Sequence, residues 1–85
     1  MTDQRETRLK RLKIRSWRRG TKEMDLLLGP FADGPLRDFD DAGLEAYEAL
    51  LDENDNDLYI WVSAGGEPEH HSIILNQVRS FHKII

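Results

Sequence analysis

The sequence predicts an all-α protein, a compact bundle of five short helices in a single domain. Three observations carry this expectation. Apolar residues recur at helical spacing in five successive stretches. Glycine, proline or an acidic break separates each stretch from the next. The one strand-like run, Leu58-Tyr59-Ile60-Trp61-Val62, has β-friendly residues but neither alternation nor an apparent partner. Eighty-five residues make one domain with a thin core, because a chain this short buries only about 60–65% of its unfolded surface.

The first helix runs from Arg5 to Arg18, with residues 1–7 expected to be flexible. It is strongly basic and carries Leu9, Leu12, Ile14 and Trp17 as a loose apolar stripe. Gly20 ends it, as a glycine just past a helix does. Thr21 caps the second helix, and Glu23 and Asp25 fall in its first turn, where the helix dipole favours acids. Met24, Leu27, Leu28 and Phe31 follow at i, i+3, i+4 and i+7, a clean core face. Pro30 lacks an amide donor and should kink or end this helix nearby, and Asp33-Gly34-Pro35 marks the turn after it.

Asp40 or Asp41 caps the third helix, whose stripe is Leu44, Tyr47 and Leu51 with Leu50 beside them. Residues 52–57 form a polar, acidic break. Asp55 or Asn56 caps a short fourth helix holding Leu58, Trp61 and Val62 on one face, closed by Gly65-Gly66. Trp61 reads as core, while Tyr59 suits either the core or a partner contact. Pro68 suits the first turn of the fifth helix, with Ile74, Val78, Phe81 and Ile85 at i, i+4, i+7 and i+11.

The chain has no cysteine, which excludes disulfides, thiol catalysis, thiolate zinc sites and iron–sulfur ligation through its own residues. No stretch is apolar long enough to span a bilayer, so no membrane insertion is expected. The opening Met1-Thr2-Asp3-Gln4-Arg5-Glu6 lacks the apolar core of a signal peptide. The net charge of −4 hides an asymmetry. Residues 1–22 carry nine Lys/Arg against Asp3 and Glu6, a balance of +7, whereas residues 23–85 carry three basic and fourteen acidic side chains, a balance of −11. Such a split suits an interaction face, or equally a solvated basic helix pairing with the acidic remainder.

Catalytic motifs are absent. Gly65-Gly66 follows no buried strand and forms no phosphate loop, and there is neither a nucleophile elbow nor a zinc-binding HExxH. His70-His71 is the metal-like feature. Adjacent helical residues point about 100° apart, so exposed histidines near a helix start are expected rather than ligands; a site would need Glu67, Glu69 or His82. The basic N-terminal helix could neutralise phosphates, with Trp17 stacking on a base. A nucleic-acid-binding or antitoxin-like regulator is therefore the alternative function. The acidic body and the apolar second helix speak against it.

Arg18-Arg19-Gly20-Thr21-Lys22-Glu23 is the most informative stretch. Arginine offers a rigid fork for a partner's carboxylates and carbonyls, and Gly20 lets a partner's backbone approach closely. On spacing alone the same residues also make a helix C-cap and a surface Arg19–Glu23 pair, contributing only about 0–1 kcal/mol.

As a whole the chain resembles the succinate dehydrogenase assembly factors, the flavinylation factors of proteobacteria and mitochondria. The resemblance covers residues 8–82. It is carried by Arg8-Leu9, by Arg18-Arg19-Gly20-Thr21-Lys22-Glu23-Met24-Asp25 with the apolar run to Leu28 and Phe31, by Leu50-Leu51, and by Asp55-Asn56-Asp57-Leu58-Tyr59-Ile60-Trp61. The RGxxE and DxDLYxW signatures, their separation and the chain length agree together, which is more specific than either motif alone. The resemblance implies a five-helix, non-enzymatic protein that binds the flavoprotein subunit of succinate dehydrogenase or, in some bacteria, of fumarate reductase. It implies that the factor promotes covalent attachment of FAD to a histidine of that subunit, the chemistry and the FAD belonging to the client. No cofactor is expected to be held stably by this chain, and no nucleic acid is expected as a partner. By position, Arg19, Gly20 and Glu23 are the signature residues, with Arg18, Trp17 and Asp25 as neighbours on the same partner-binding surface. The expected state is a monomer, cytoplasmic in a bacterium or in the mitochondrial matrix of a eukaryote.

Overall fold

Five helices form where the periodicity places them. The computed structural model describes residues 4–83, and among these the order is α1 (Gln4–Trp17), α2 (Lys22–Asp33), a 3-10 turn (Pro35–Asp38), α3 (Asp41–Leu51), α4 (Asp55–Ala64), a 3-10 turn (Glu69–His71) and α5 (Ser72–Phe81). No strand occurs among the described residues. None of these helices is long and apolar enough to cross a membrane. The chain divides into two units, Met1–Phe39 and Asp40–Ile85.

In the first unit α1 packs against α2. Residues 4–7 form the opening turn of α1, and Arg5 reaches across the unit to donate to the carbonyls of Arg37 (2.8 Å) and Phe39. The buried face of α1 is Leu12 and Ser16 with Leu9 half-buried, at i, i+3 and i+7. Ile14, expected on that stripe, is exposed. It stands two residues past Leu12, about 200° round the helix, on the opposite side. Burial of the Ser16 hydroxyl is tolerated because it donates to the Leu12 carbonyl at 2.7 Å. The core is completed by Met24, Leu28, Phe31, Ala32 and Leu36. Thr21 caps α2 as expected, its Oγ1 accepting from Met24 N–H. Pro30 lies inside α2, and the helix continues one turn beyond it. It then ends at Gly34, whose N–H donates to the Pro30 and Phe31 carbonyls at 3.1 and 3.3 Å.

In the second unit α5 packs against α3 and α4, burying Leu44, Tyr47, Leu50, Leu51, Leu58, Val62, Ile74, Leu75 and Val78. Asp40 caps α3, its carboxylate accepting from Gly43 N–H at 2.8 Å. The cap of α4 is Asn54, not Asp55 or Asn56. Asn54 Oδ1 accepts from Asp57 N–H at 2.9 Å while its Nδ2 donates to the Asp57 carboxylate at 2.9 Å. That exchange leaves Asp55 in the first helical turn, where its charge suits the dipole. Pro68 does not enter α5. It precedes the 3-10 turn, closed by His71 N–H donating to the Pro68 carbonyl at 2.9 Å, and α5 begins at Ser72. Phe81, expected in the core, is partly exposed, and Leu75 is buried beside Ile74 and Val78. Ile85 lies outside the described residues. Trp61 is half-buried and Tyr59 exposed.

Arg79 ties this unit together. Its guanidinium donates to Glu67 Oε1 (2.7 Å), the Trp61 carbonyl (3.1 Å) and Asn76 Oδ1 (2.6 Å). The Arg79 hydrogen bond holds the Glu67 carboxyl below the usual carboxylate range, against the opposing effect of burial. A depressed folded-state pKa stabilises above the unfolded value, about 4.3, and is lost as pH falls through the folded one. Glu67→Gln is therefore expected to lower the urea midpoint at pH 7, by a margin that narrows as the pH falls below about 4.3; a gap that does not change with pH contradicts this.

Candidate functional site

The junction between α1 and α2 gathers the residues expected to bind a partner. Arg18 N–H still reaches back to the Arg15 carbonyl (3.4 Å), after which the chain leaves the helix and Gly20 adopts φ 109°. An L-residue meets its own carbonyl neighbour at such a φ, so glycine is required there. Immediately before it, Arg19 N–H donates to Asp25 Oδ1 at 2.7 Å. Immediately after it, Thr21 caps α2, and its carbonyl accepts from Asp25 N–H at 3.0 Å. Asp25 thus fixes both sides of the turn. Its carboxylate accepts from one backbone donor before Gly20, and its own N–H donates to a backbone acceptor just after it.

The fixed turn presents charge outward. Arg18, Lys22 and Glu23 are exposed, Arg19 and Asp25 half-buried. Three cations and a carboxylate therefore line one hydrogen-bonded corner, an arrangement suited to a partner's carbonyls and carboxylates at the cations and its N–H donors at Glu23. Trp17 does not join that corner directly. Its indole lies against Gly29 of α2, where an added Cβ would stand 2.4 Å from Trp17 Cδ2, and its Nε1–H donates to Asp33 Oδ2 at 3.2 Å. Sequence reasoning missed Gly29 and Asp33. The signal for Gly29 was legible, because a glycine in the middle of an apolar helix costs about 1 kcal/mol against alanine and so has a packing reason.

The second signature, residues 55–61, lies on α4 of the other unit and builds structure: Asp57 is part of the Asn54 cap, Leu58 is buried, and the Trp61 carbonyl accepts from Arg79. The expectation that both adjacent histidines are exposed fails for His71. It is buried, its Nε2 is 2.8 Å from Glu53 Oε2, and its ring stands 4.1 Å from that of His70. Ligand atoms of Glu53, His70 and His71 fall within 4.8 Å of one another. They suit a metal poorly. An ion on His71 Nε2 would place the ring proton on Nδ1, which is buried without a hydrogen-bond partner, whereas a ligating histidine almost always donates its second ring N–H. With a proton on Nε2, His71 donates to Glu53 and needs no ion to account for that contact. A groove of about 370 Å³ between Leu9, Lys10, Lys13, Asp33 and Arg37 holds no nucleophile paired with a base.

Comparison with known proteins shows a family. A family described as flavinator of succinate dehydrogenase matches residues 10–82. The chain is similar to the protein called succinate dehydrogenase assembly factor 2, mitochondrial, of several fungi. It is 43% identical over 60 residues to that of Mycosarcoma maydis, covering 71% of this chain and 25% of that one. With Meyerozyma guilliermondii it is 46% identical over 59 residues, covering 69% and 44%. With Scheffersomyces stipitis it is 45% identical over 58 residues, covering 68% and 39%. The matched stretch spans a quarter to under half of these relatives. No solved structure matches the chain.

Proposed function

We propose, from the premise that this chain belongs to the family of succinate dehydrogenase flavinators, that it docks on the flavoprotein subunit of succinate dehydrogenase and promotes covalent attachment of FAD there. The observation that carries the reading is the corner at Gly20: a glycine-only backbone, clamped by Asp25, displaying Arg18, Arg19 and Glu23. The arrangement supplies recognition and no chemistry of its own. A polar corner with higher affinity for the attachment-competent conformation of a client shifts that client's population toward it. The nucleophilic histidine and the FAD belong to the client, and this chain works as a monomeric, non-enzymatic chaperone with no nucleic-acid partner. Its site of action is the mitochondrial matrix in a eukaryote and the cytoplasm in a bacterium, where the client is assembled.

The excess of ten Lys/Arg over six Asp/Glu in residues 1–39 supports steering toward an acidic client face. In a strain lacking this gene, in-gel flavin fluorescence of the flavoprotein subunit is expected to be lost and to return on complementation. A subunit with undiminished covalent flavin overturns the proposal.

A further inference from the structure

Trp17 precedes the signature by two residues, and its seat on α2 is specific. A Cβ on Gly29 would lie 2.4 Å from Trp17 Cδ2 and Cε2 and 2.7 Å from Cε3, so only glycine lets the indole rest on the helix backbone. The ring N–H donates to Asp33 Oδ2 at 3.2 Å, and Lys13 Nζ stands 3.6 Å from Oδ1 of the same carboxylate. The plane is thus set by Gly29 and the in-plane rotation by Asp33. Yet Trp17 remains 37% exposed, so the seat orients the ring without burying it.

The surroundings identify what the ring faces. Lys22, Leu26, Gly29 and Asp33 recur at i, i+4, i+7 and i+11 along one face of α2, and Leu26 is exposed. Trp17 and Leu26 therefore offer apolar surface next to the cations Arg18 and Lys22. Tryptophan is foremost among side chains whose truncation weakens an interface. A ring already held in one orientation also spares the ordering that would oppose binding.

We infer that Trp17 is the apolar anchor of the docking surface, that Gly29 and Asp33 are its positioning residues, and that its counterpart on the client is an apolar pocket bordered by carboxylates. This rests on the reading that the chain docks on the flavoprotein. The test is titration of the full chain against the FAD-loaded, not yet flavinylated flavoprotein subunit by calorimetry. Trp17→Ala and Gly29→Ala are each expected to weaken Kd by about 10–30-fold, and the double variant to be no weaker than Trp17→Ala, because the notch then has nothing to seat. Asp33→Asn, which keeps a carbonyl acceptor for the indole N–H, should bind nearly as wild type, and Asp33→Leu should not.

Thermal melts give an independent sign. Gly29→Ala should lower Tm when Trp17 is present and raise it in the Trp17→Ala background, where alanine is simply the better helix former. Additive losses in Kd overturn the inference. So does Trp17→Ala at wild-type affinity while Arg19→Ala abolishes binding; that pattern leaves the docking reading standing. A wild-type chain that does not bind overturns both.

Discussion

Replacing Gly20 by arginine is expected to abolish binding to the flavoprotein while the helices persist. At φ 109° any L-residue is strained, by about 1–3 kcal/mol. In a chain of this size each kcal/mol lowers Tm by about 4–8 °C, so the variant should melt lower yet still cooperatively. The binding loss is larger, on the order of 100-fold or more, because a long cation enters the space between Arg19 and Glu23 where a partner's backbone is to approach; hot-spot truncations alone reach several kcal/mol. Gly20→Ala separates the two causes. It carries the strain without the bulk, so it should share most of the Tm loss and only part of the binding loss. Pull-down of the flavoprotein with circular dichroism on the same samples decides the matter, and a Gly20→Arg chain that still binds removes the corner from the docking surface.

The second large effect is on stability. Phe31 is buried on α2 and meets Phe39 edge-on, ring centroids 5.7 Å apart at 76°. Phe31→Ala deletes the ring and leaves a cavity that helices on a short scaffold fill poorly, an expected loss of about 3–5 kcal/mol. For 85 residues a total stability of about 4–13 kcal/mol is ordinary. The variant should therefore lose from about a quarter to all of its stability, and where it still folds its urea midpoint should fall accordingly at unchanged slope. A loss below about 1 kcal/mol would show that the site collapses around the deletion.

Both residues were visible in the sequence, for different reasons. Phe31 closes the i, i+3, i+4, i+7 pattern begun by Met24 and is buried as that stripe predicts, whereas Phe81, at i+7 of the α5 stripe, is exposed near the helix end. Gly20 was legible as a helix end, and its place in RGxxE as a family signature. What periodicity does not encode is which of several competent groups wins a local contest. Asn54, Asp55 and Asn56 can all cap a helix. The choice fell to Asn54 because its amide both accepts from and donates to Asp57, a reciprocity no single-residue preference reveals. Ile14 was assigned to the wrong side because a loose stripe admits residues two apart, and helix geometry does not.

Contacts between distant positions were hidden altogether. Glu53 with His71, Glu67 with Arg79 and Trp17 with Gly29 are 12 to 18 residues apart, and each depends on how elements turn back on one another. The role of Asp25 sits between these cases. It was named as a neighbour of the signature, but only the geometry shows its carboxylate holding the backbone of Arg19.

The two indoles fall one in each unit, Trp17 in Met1–Phe39 and Trp61 in Asp40–Ile85, and the chain has no others. Trp61→Phe leaves emission from the N-terminal half alone, and Trp17→Phe from the C-terminal half alone. Denaturation followed through each emitter reports the melting of one half at a time. Coincident curves mean that the basic and acidic halves of this small chain unfold as one cooperative body, and separated curves rank their stabilities.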